Sequence, residues 1–297
     1  FDEVSLIPFA DYVANLVPPF NAKQQIAIIY ADGEIIDGSQ KTAVAGDRFA
    51  SIIAGVRADS TVKAVVLRVN SPGGSVLASE KIKNELDLLQ KDKPVVASYG
   101  EYAASGGYWI SNGSNVIFTD ATTLTGSIGV FGMIPDFSKT AKDVLHIGVE
   151  SVNSHKHGDM FGLMRPFDQS EFNYMTRSIE NIYDRFVGIV SDNRSLTRER
   201  VDEIAQGRVW TGADALPIEL VDEIGTLEDA VNYAASIAGD PDLGNWSVCG
   251  YPSPQTMMEK VLEMFYGSSE ESALLGRLKD FTEAKVLARM DTQFEVR

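Results

Sequence analysis

Cysteine, basic residues and long apolar runs are all scarce in this sequence. Cys249 is the single cysteine among 297 residues, which excludes an intrachain disulfide and any metal site built from several thiolates. Lysine and arginine total 26 against 42 aspartates and glutamates, so the formal net charge is −16. Because so acidic a chain offers little to neutralise a phosphate backbone, the composition argues against a nucleic-acid partner.

No run of eighteen apolar residues occurs, so no transmembrane helix is expected. The longest apolar runs, at 26–31 and 64–67, have the length of buried strands. A hydrophobic fraction of 44% is nevertheless ample for a packed core. The sequence begins Phe-Asp-Glu-Val, without Met or a signal-like segment, and we therefore expect it to be the interior of a longer polypeptide.

Short β-prone runs alternate with helical patterns over the first half of the chain. Strands separated by helices of 10–15 residues predict right-handed βαβ units and a mostly parallel sheet, hence an α/β fold. After residue 167 the pattern becomes mainly helical. The predicted strands are 25–30, 62–69, 94–99 and 115–119, and the predicted helices are 47–58, 76–90, 103–111, 138–146, 170–193, 197–206 and 226–238.

Four segments follow from these patterns. Residues 1–22, broken by three prolines, are predicted to be a linker or docking arm. Residues 23–167 form the α/β core, and 168–240 form a helical part of the same domain. Residues 241–297 are a C-terminal extension, which ends in a helix predicted over 272–290.

Three glycine-rich turns, each directly after a predicted strand, are the best candidates for chemistry. At 70–75, paired glycines allow main-chain N–H groups to hold a negative oxygen, although a tight turn alone also explains them. At 103–109, one interpretation places Ser105 as a nucleophile at the start of a helix, and the other assigns the small residues to close packing of the helix on the sheet. At 123–129, Ser127 orients an amine or caps the next segment.

Together the three turns resemble the signal peptide peptidase A (protease IV) family of Ser-Lys peptidases. That family shares the Clp protease/crotonase fold, with repeated β-β-α units, a mostly parallel sheet and a helical C-terminal region. The resemblance covers residues 25–240 and implies an enzyme without cofactor or metal. The matching segments are 68–75, 103–111, 123–129, 204–212 and 220–225.

The resemblance assigns a role to four residues. Ser105 matches the nucleophile, and Gly73 and Gly106 match the residues whose N–H groups form the oxyanion hole. Ser127 matches the serine that orients the general-base lysine. Such an assignment is chemically sound, because each preorganised N–H at a developing oxyanion lowers the barrier by about 3 kcal/mol.

The base itself is missing from its family position. Single-domain members carry it in a Ser-Gly-x-x-Lys-Asp pattern, but residues 154–159 of this chain place Gly158 there. Lys156 is the nearest amine, two positions away. Long members are tandem duplications in which the first half supplies the lysine and the second half the serine. This chain resembles such a second half, so we expect an incomplete dyad in isolation.

Histidine-based sites are the weaker alternatives. His155, His157 and Asp159 alternate as metal ligands do on a strand, but a solvated polar stretch explains them more simply. A triad of Ser105 with a histidine also stays open. Apolar residues within 160–175 are interpreted first as core and second as a peptide-binding or subunit interface.

The leading hypothesis is a serine endopeptidase that degrades apolar peptides, such as cleaved signal peptides. Its expected partners are the peptide, an N-terminal half of the same polypeptide, and further copies in a bowl-like ring. The expected location is the extracytoplasmic face of a bacterial inner membrane. A crotonase-like acyl-CoA enzyme and a non-catalytic oligomeric scaffold are the alternatives, because fold alone does not fix function.

Overall fold

The computed structural model describes residues 24–252 and the backbone of one further strand at 285–289. Eight strands of this described part form a central sheet, and five short strands form a second sheet. The strands are β1 (Gln24–Asp32), β2 (Ile35–Ile36), β3 (Val44–Ala45), β4 (Val62–Ser71), β5 (Gly73–Ser75), β6 (Val95–Ala104), β7 (Val116–Thr119), β8 (Leu124–Gly126), β9 (Phe131–Met133), β10 (Val209–Thr211), β11 (Glu223–Ile224), β12 (Trp246–Tyr251) and β13 (Lys285–Arg289).

Seven α-helices are seen in the described residues, with a π-helical turn at Thr140–Val144 and a 3-10 turn at Leu243–Asn245. Two of the helices begin with a reciprocal capping box, at Asp168 and at Thr226. The α-helices are α1 (Gly46–Ala58), α2 (Val76–Gln90), α3 (Gly106–Ser111), α4 (Gln169–Arg194), α5 (Arg198–Ile204), α6 (Gly212–Ala215) and α7 (Leu227–Ile237).

The central sheet is mostly parallel, as predicted for an α/β fold. Its order is β10-β8-β6-β4-β1-β12, with β7 also beside β6 and β11 beside β7. Only the β10–β8 pair is antiparallel among the pairings described for this sheet. The second sheet has the order β3-β2-β5-β13-β9.

Apolar layers cover both faces of the central sheet. On one face Leu67 packs with Ile82 of α2 and Phe186 of α4, and on the other Val66 packs with Ala234 of α7. Burial on both faces explains why these strands are continuous apolar runs rather than alternating ones. Tyr108 of α3, fully buried, donates a 2.8 Å hydrogen bond to the carbonyl of Leu220 and therefore belongs to the core.

Several predicted boundaries differ from the structure. The helix expected from residue 103 begins at Gly106, because the residues before it pair with β4 and β8. The helix expected at 138–146 is a short π-helical turn. The terminal helix expected over 272–290 is wrong at Lys285–Arg289, which form β13, and its remainder lies outside the described residues, as does the predicted arm at 1–22.

Candidate active site

The three glycine-rich turns meet at one edge of the central sheet. Strands β4, β6 and β8 are neighbours and run parallel, so their carboxyl ends share that edge. Ser71 is in register with Ala103, and Ala104 is in register with Gly126. The turns that carry Gly73, Ser105 and Ser127 follow directly, and crevices at this edge are where α/β sheets bind ligands.

Ser105 occupies a sharp turn between β6 and α3. Its φ of 53° and ψ of −113° are rare for a residue with a side chain, and such strain is usually found at functional sites. Its main-chain N–H donates to Gly126 O at 2.8 Å, and its carbonyl accepts from Trp109 N at 2.7 Å. Ser105 is fully buried, yet its Oγ has no hydrogen-bond partner among the described residues. A buried, unpaired hydroxyl costs about 1–3 kcal/mol, so the fold holds this group at a cost in stability.

Main-chain N–H groups of two glycines are the candidate oxyanion donors, one next to Ser105 in sequence and one in the first glycine-rich turn. Gly106 is the first residue of α3, and N–H groups of a first helical turn have no partner within the helix. Gly73 has a φ of 98°, and its N–H donates a 3.2 Å bond to Ser71 Oγ. At Gly74 a Cβ would lie 1.9 Å from the carbonyl oxygen of Ile35, so no other residue fits there.

Asn70 joins the first two turns and was not singled out from the sequence. Its side-chain oxygen accepts from the main-chain N–H groups of Glu101 and Tyr102, at 3.1 and 3.2 Å. Its side-chain nitrogen donates to Asp32 at 2.9 Å. The β4–β6 register shifts at this point, so Asn70 pairs the N–H groups that the irregular backbone leaves open just before Ser105.

Ser127 lies in the third turn with a φ of 48° and is almost fully buried. Its N–H donates to Arg208 O at 2.7 Å, which attaches the turn to the residue before β10. No helix begins at Ser127 in the described structure, so Ser127 caps no helix there.

Lys156 is not brought to Ser105. Its side chain is mostly exposed, and its Nζ lies 3.5 Å from Ser170 Oγ and 3.8 Å from Asp168 Oδ2, at the start of α4. The segment around it forms turns, with Gly158 N donating to His155 O at 3.1 Å, rather than a strand.

A charged cluster, formed by His157, Asp159, Arg165 and Glu171, links this segment to the first turn of α4. Arg165 bonds both Asp159, at 2.7 Å, and the buried Glu171, at 2.6 Å, and His157 Nδ1 lies 3.0 Å from Glu171 Oε1. The bonds from Arg165 hold the pKa of both carboxyl groups well below its ordinary value and raise the pKa of the guanidinium. The cluster was missed from sequence, although the Asp168-x-x-Glu171 capping-box pattern was readable.

Neither histidine alternative, the metal trio or the triad with Ser105, is formed among the described residues, where Ser105 Oγ has no partner. His155 Nδ1 lies 3.0 Å from Ser154 Oγ, whereas His157 bonds Glu171 and Asp159 bonds Arg165. The three groups thus have separate partners and do not converge on one point.

The preferred core interpretation of 160–175 is only partly right, because Met160 and Met175 are buried but Phe161 and Phe172 are more than half exposed.

Comparison with known proteins identifies a family for this chain. The model of peptidase family S49 matches residues 87–239, just over half of the chain. The chain belongs to peptidase family S49. This confirms the family resemblance drawn from the three turns.

Individual relatives match this chain over a larger part of its length than the family model does. Protease 4 of Haemophilus influenzae is 44% identical over 242 residues, which are 79% of this chain and 39% of that protein. Protease 4 of Salmonella typhi is 43% identical over 88% of this chain and 42% of its own length. A putative protease of Synechocystis is 32% identical over 80% of this chain and 84% of its own.

The chain therefore spans about two fifths of the Protease 4 relatives. Among solved structures, a ClpP1 variant from Listeria monocytogenes is similar at a TM-score of 0.46 and 14% identity, over 69% of this chain and 94% of that one. None of the helices in the described ranges has the combined length and hydropathy that crossing a bilayer requires.

Proposed function

We propose that this S49 chain is the nucleophile-bearing half of a Ser-Lys peptidase. The observation that carries the proposal is the fully buried, unpaired Oγ of Ser105, held by a strained turn beside the glycine N–H groups. Membership of a peptidase family and the names of the relatives support the same reaction class.

In the proposed reaction, Ser105 Oγ attacks the carbonyl carbon of a peptide bond. The N–H groups of Gly73 and Gly106 donate to the oxyanion, and the bond from Gly73 N to Ser71 Oγ is exchanged for this contact. The C–N bond then breaks, the amine leaves with the proton taken from Ser105, and water hydrolyses the acyl-enzyme. Ser127 orients the lysine that carries the proton.

That lysine is proposed to come from a homologous N-terminal half, because Lys156 is bound at the start of α4. A general base must lie within hydrogen-bond reach of the hydroxyl that it deprotonates, whereas Lys156 Nζ lies beside Ser170 and Asp168 with its side chain mostly exposed. The difference in length from the Protease 4 relatives leaves room for such a half.

Apolar peptides, including cleaved signal peptides, are the proposed substrates at the extracytoplasmic face of a bacterial inner membrane. One relative, in Enterococcus faecium, is named a putative signal peptide peptidase. The chain also exposes apolar side chains between residues 131 and 174, which suit a peptide or a further copy of the chain in a homo-oligomer. The most exposed are Val144, Leu145, Val152, Phe161, Phe172 and Tyr174.

The test is labelling of Ser105 by a peptidyl phosphonate. The chain is assayed alone and together with a homologous domain that carries lysine at the position of Gly158. We expect labelling and fluorogenic-peptide turnover only in the mixture. Turnover by the chain alone that Lys156→Ala abolishes would contradict the two-half mechanism, and failure to label Ser105 in the mixture would contradict the peptidase assignment.

A further inference from the structure

Strand β6 is irregular shortly before the turn of Ser105. Residues 100–102, which form the β6 bulge, lie opposite the single residue Asn70 of β4. Over the same interval β6 exchanges its neighbour β7 for β8. A bulge bends its strand and re-aims the side chains that follow. The conformation of the β6 bulge therefore decides how the main chain enters the turn that presents Ser105 Oγ.

Side chains from both neighbouring segments hold the main chain of the β6 bulge. From β4, the side-chain oxygen of Asn70 accepts hydrogen bonds from two N–H groups of the bulge. From the third glycine-rich turn, the buried Thr123 donates through Oγ1 to Gly100 O at 2.6 Å. The buried Thr125 likewise donates to Ala103 O at 2.8 Å. The threonines thus bind carbonyl groups, and the amide of Asn70 binds N–H groups.

Two neighbours fix the amide of Asn70. Asp32 Oδ1, at the exposed end of β1, accepts from Asn70 Nδ2 at 2.9 Å, so the amide oxygen faces the β6 bulge. Gly100 lies against the same side chain, because a Cβ there would be 3.0 Å from the Cβ, Cγ and Oδ1 of Asn70. The glycine leaves the space that the amide occupies. Asn70 is accordingly both oriented and closely fitted.

We infer that Asn70, oriented by Asp32, is a positioning residue for Ser105. The inference rests on the proposed function, because a positioned nucleophile presupposes the peptidase reaction. The side-chain bonds described for Asn70 and Asp32 do not reach Ser105, so the pair acts through the main chain of the β6 bulge. A displacement of about 1 Å at a reacting atom can cost about a hundredfold in rate.

The rate at which the peptidyl phosphonate labels Ser105 in the two-half mixture tests the inference. Asn70→Ala is expected to lower this rate, and kcat for a fluorogenic peptide, by about tenfold to a hundredfold with KM unchanged. A contribution to stability alone would not change the labelling rate of the folded protein. Labelling of the Asn70→Ala mixture at the parental rate would overturn the inference.

Asn115→Ala is the matched control. The side-chain oxygen of Asn115 accepts from Val95 N at 2.9 Å, at the end of β6 that is remote from Ser105. The control therefore also removes an asparagine bond to β6, and it is expected to label at the parental rate. Equal slowing in the two asparagine variants would overturn the inference, because any weakening of β6 would then account for the effect.

Exchange of the two side chains gives a second test that leaves neither of them without a partner. Asn70→Asp alone places two carboxylates at hydrogen-bond distance, where like charges repel. Addition of Asp32→Asn reverses the direction of the bond and leaves an acceptor facing the β6 bulge. The double variant is expected to label at the parental rate, and a double variant as slow as Asn70→Ala would overturn the inference.

The parent mixture separates this inference from the proposed function. Absence of Ser105 labelling in the parent would overturn the proposed function and the positioning role that rests on it. Labelling of the parent and of Asn70→Ala at one rate would overturn the positioning role alone.

Discussion

The main-chain N–H of Ser105 donates a 2.8 Å hydrogen bond to the carbonyl oxygen of Gly126, the residue directly before Ser127. The turn of the proposed nucleophile and the turn of the serine proposed to orient the lysine are thereby joined through one main-chain contact. Both serines have positive φ angles, of 53° and 48°. This contact keeps the two hydroxyl-bearing turns in a fixed relation before any substrate binds, and such preorganisation is what electrostatic catalysis requires.

Ser105→Ala is expected to abolish phosphonate labelling in the two-half mixture and to raise the unfolding free energy by about 1 kcal/mol, because it removes a buried hydroxyl without a partner. Chemical denaturation measures the second effect. Ser111→Ala is the matched control: Ser111 is equally buried, but its Oγ bonds Tyr99 Oη at 2.9 Å and Gly107 O at 2.7 Å. That variant is expected to lose about 1 kcal/mol. A stability loss of the same size in both variants would contradict the prediction.

Gly74→Ala is expected to cost about 2 kcal/mol or more and to remove labelling of Ser105. The added Cβ would lie 1.9 Å from Ile35 O at a φ of 152°, so the turn that presents Gly73 must move. Gly55→Ala is the control, because Gly55 lies within α1 with open space around its Cβ position, and there alanine is expected to stabilise by about 0.5–1 kcal/mol. Equal effects of the two substitutions, measured by thermal unfolding, would disprove this reasoning.

Lys156→Ala is expected to leave the rate of Ser105 labelling in the mixture unchanged and to alter the unfolding free energy by less than about 1 kcal/mol. The reason is that, among the residues that the structure describes, the recorded polar partners of Lys156 are the exposed Ser170 and Asp168, at 3.5 and 3.8 Å. Lys139→Ala, at another exposed position, serves as the comparison. A marked loss of labelling specific to the Lys156 variant would place the base in this chain.

Acidification is expected to weaken the fold through the charged cluster. Hydrogen bonds from Arg165 depress the pKa of Glu171 in the folded state below its ordinary value of 4.5. The unfolded chain therefore binds more protons as the pH falls below about 5, so stability present at neutral pH is lost on acidification.

Glu171→Gln removes this titration. We expect the variant to be less stable at pH 7 and to show a shallower decline of unfolding free energy between about pH 5 and pH 3, with roughly one proton fewer taken up on unfolding. Chemical denaturation across this range is the measurement, and Glu199→Gln, at an exposed position, is the control. An unchanged slope in the Glu171 variant would refute the role of the cluster.

The sequence by itself determined the α/β class, the order of the main strands and helices, and the three turns. These features are local: β-prone apolar runs, helical periodicity, and glycines that alone tolerate positive φ or close approach, as at Gly74. The meeting of Gly73, Ser105 and Ser127 was not predicted, because β8, which carries Ser127 to the edge, lies inside the turn expected at 123–129.

The tertiary structure alone decided the start of α3, the surroundings of Lys156 and the place of residues 285–289. Pairing of Ala103 and Ala104 with neighbouring strands overrode a helical composition. Arg165 and Glu171 formed a cluster through contacts that spacing does not encode. A segment with helical periodicity became a strand at Lys285–Arg289, because two edges distant in sequence left main-chain groups open for it. Such non-local pairing depends on which surfaces the rest of the fold leaves unsatisfied, and no local pattern records that.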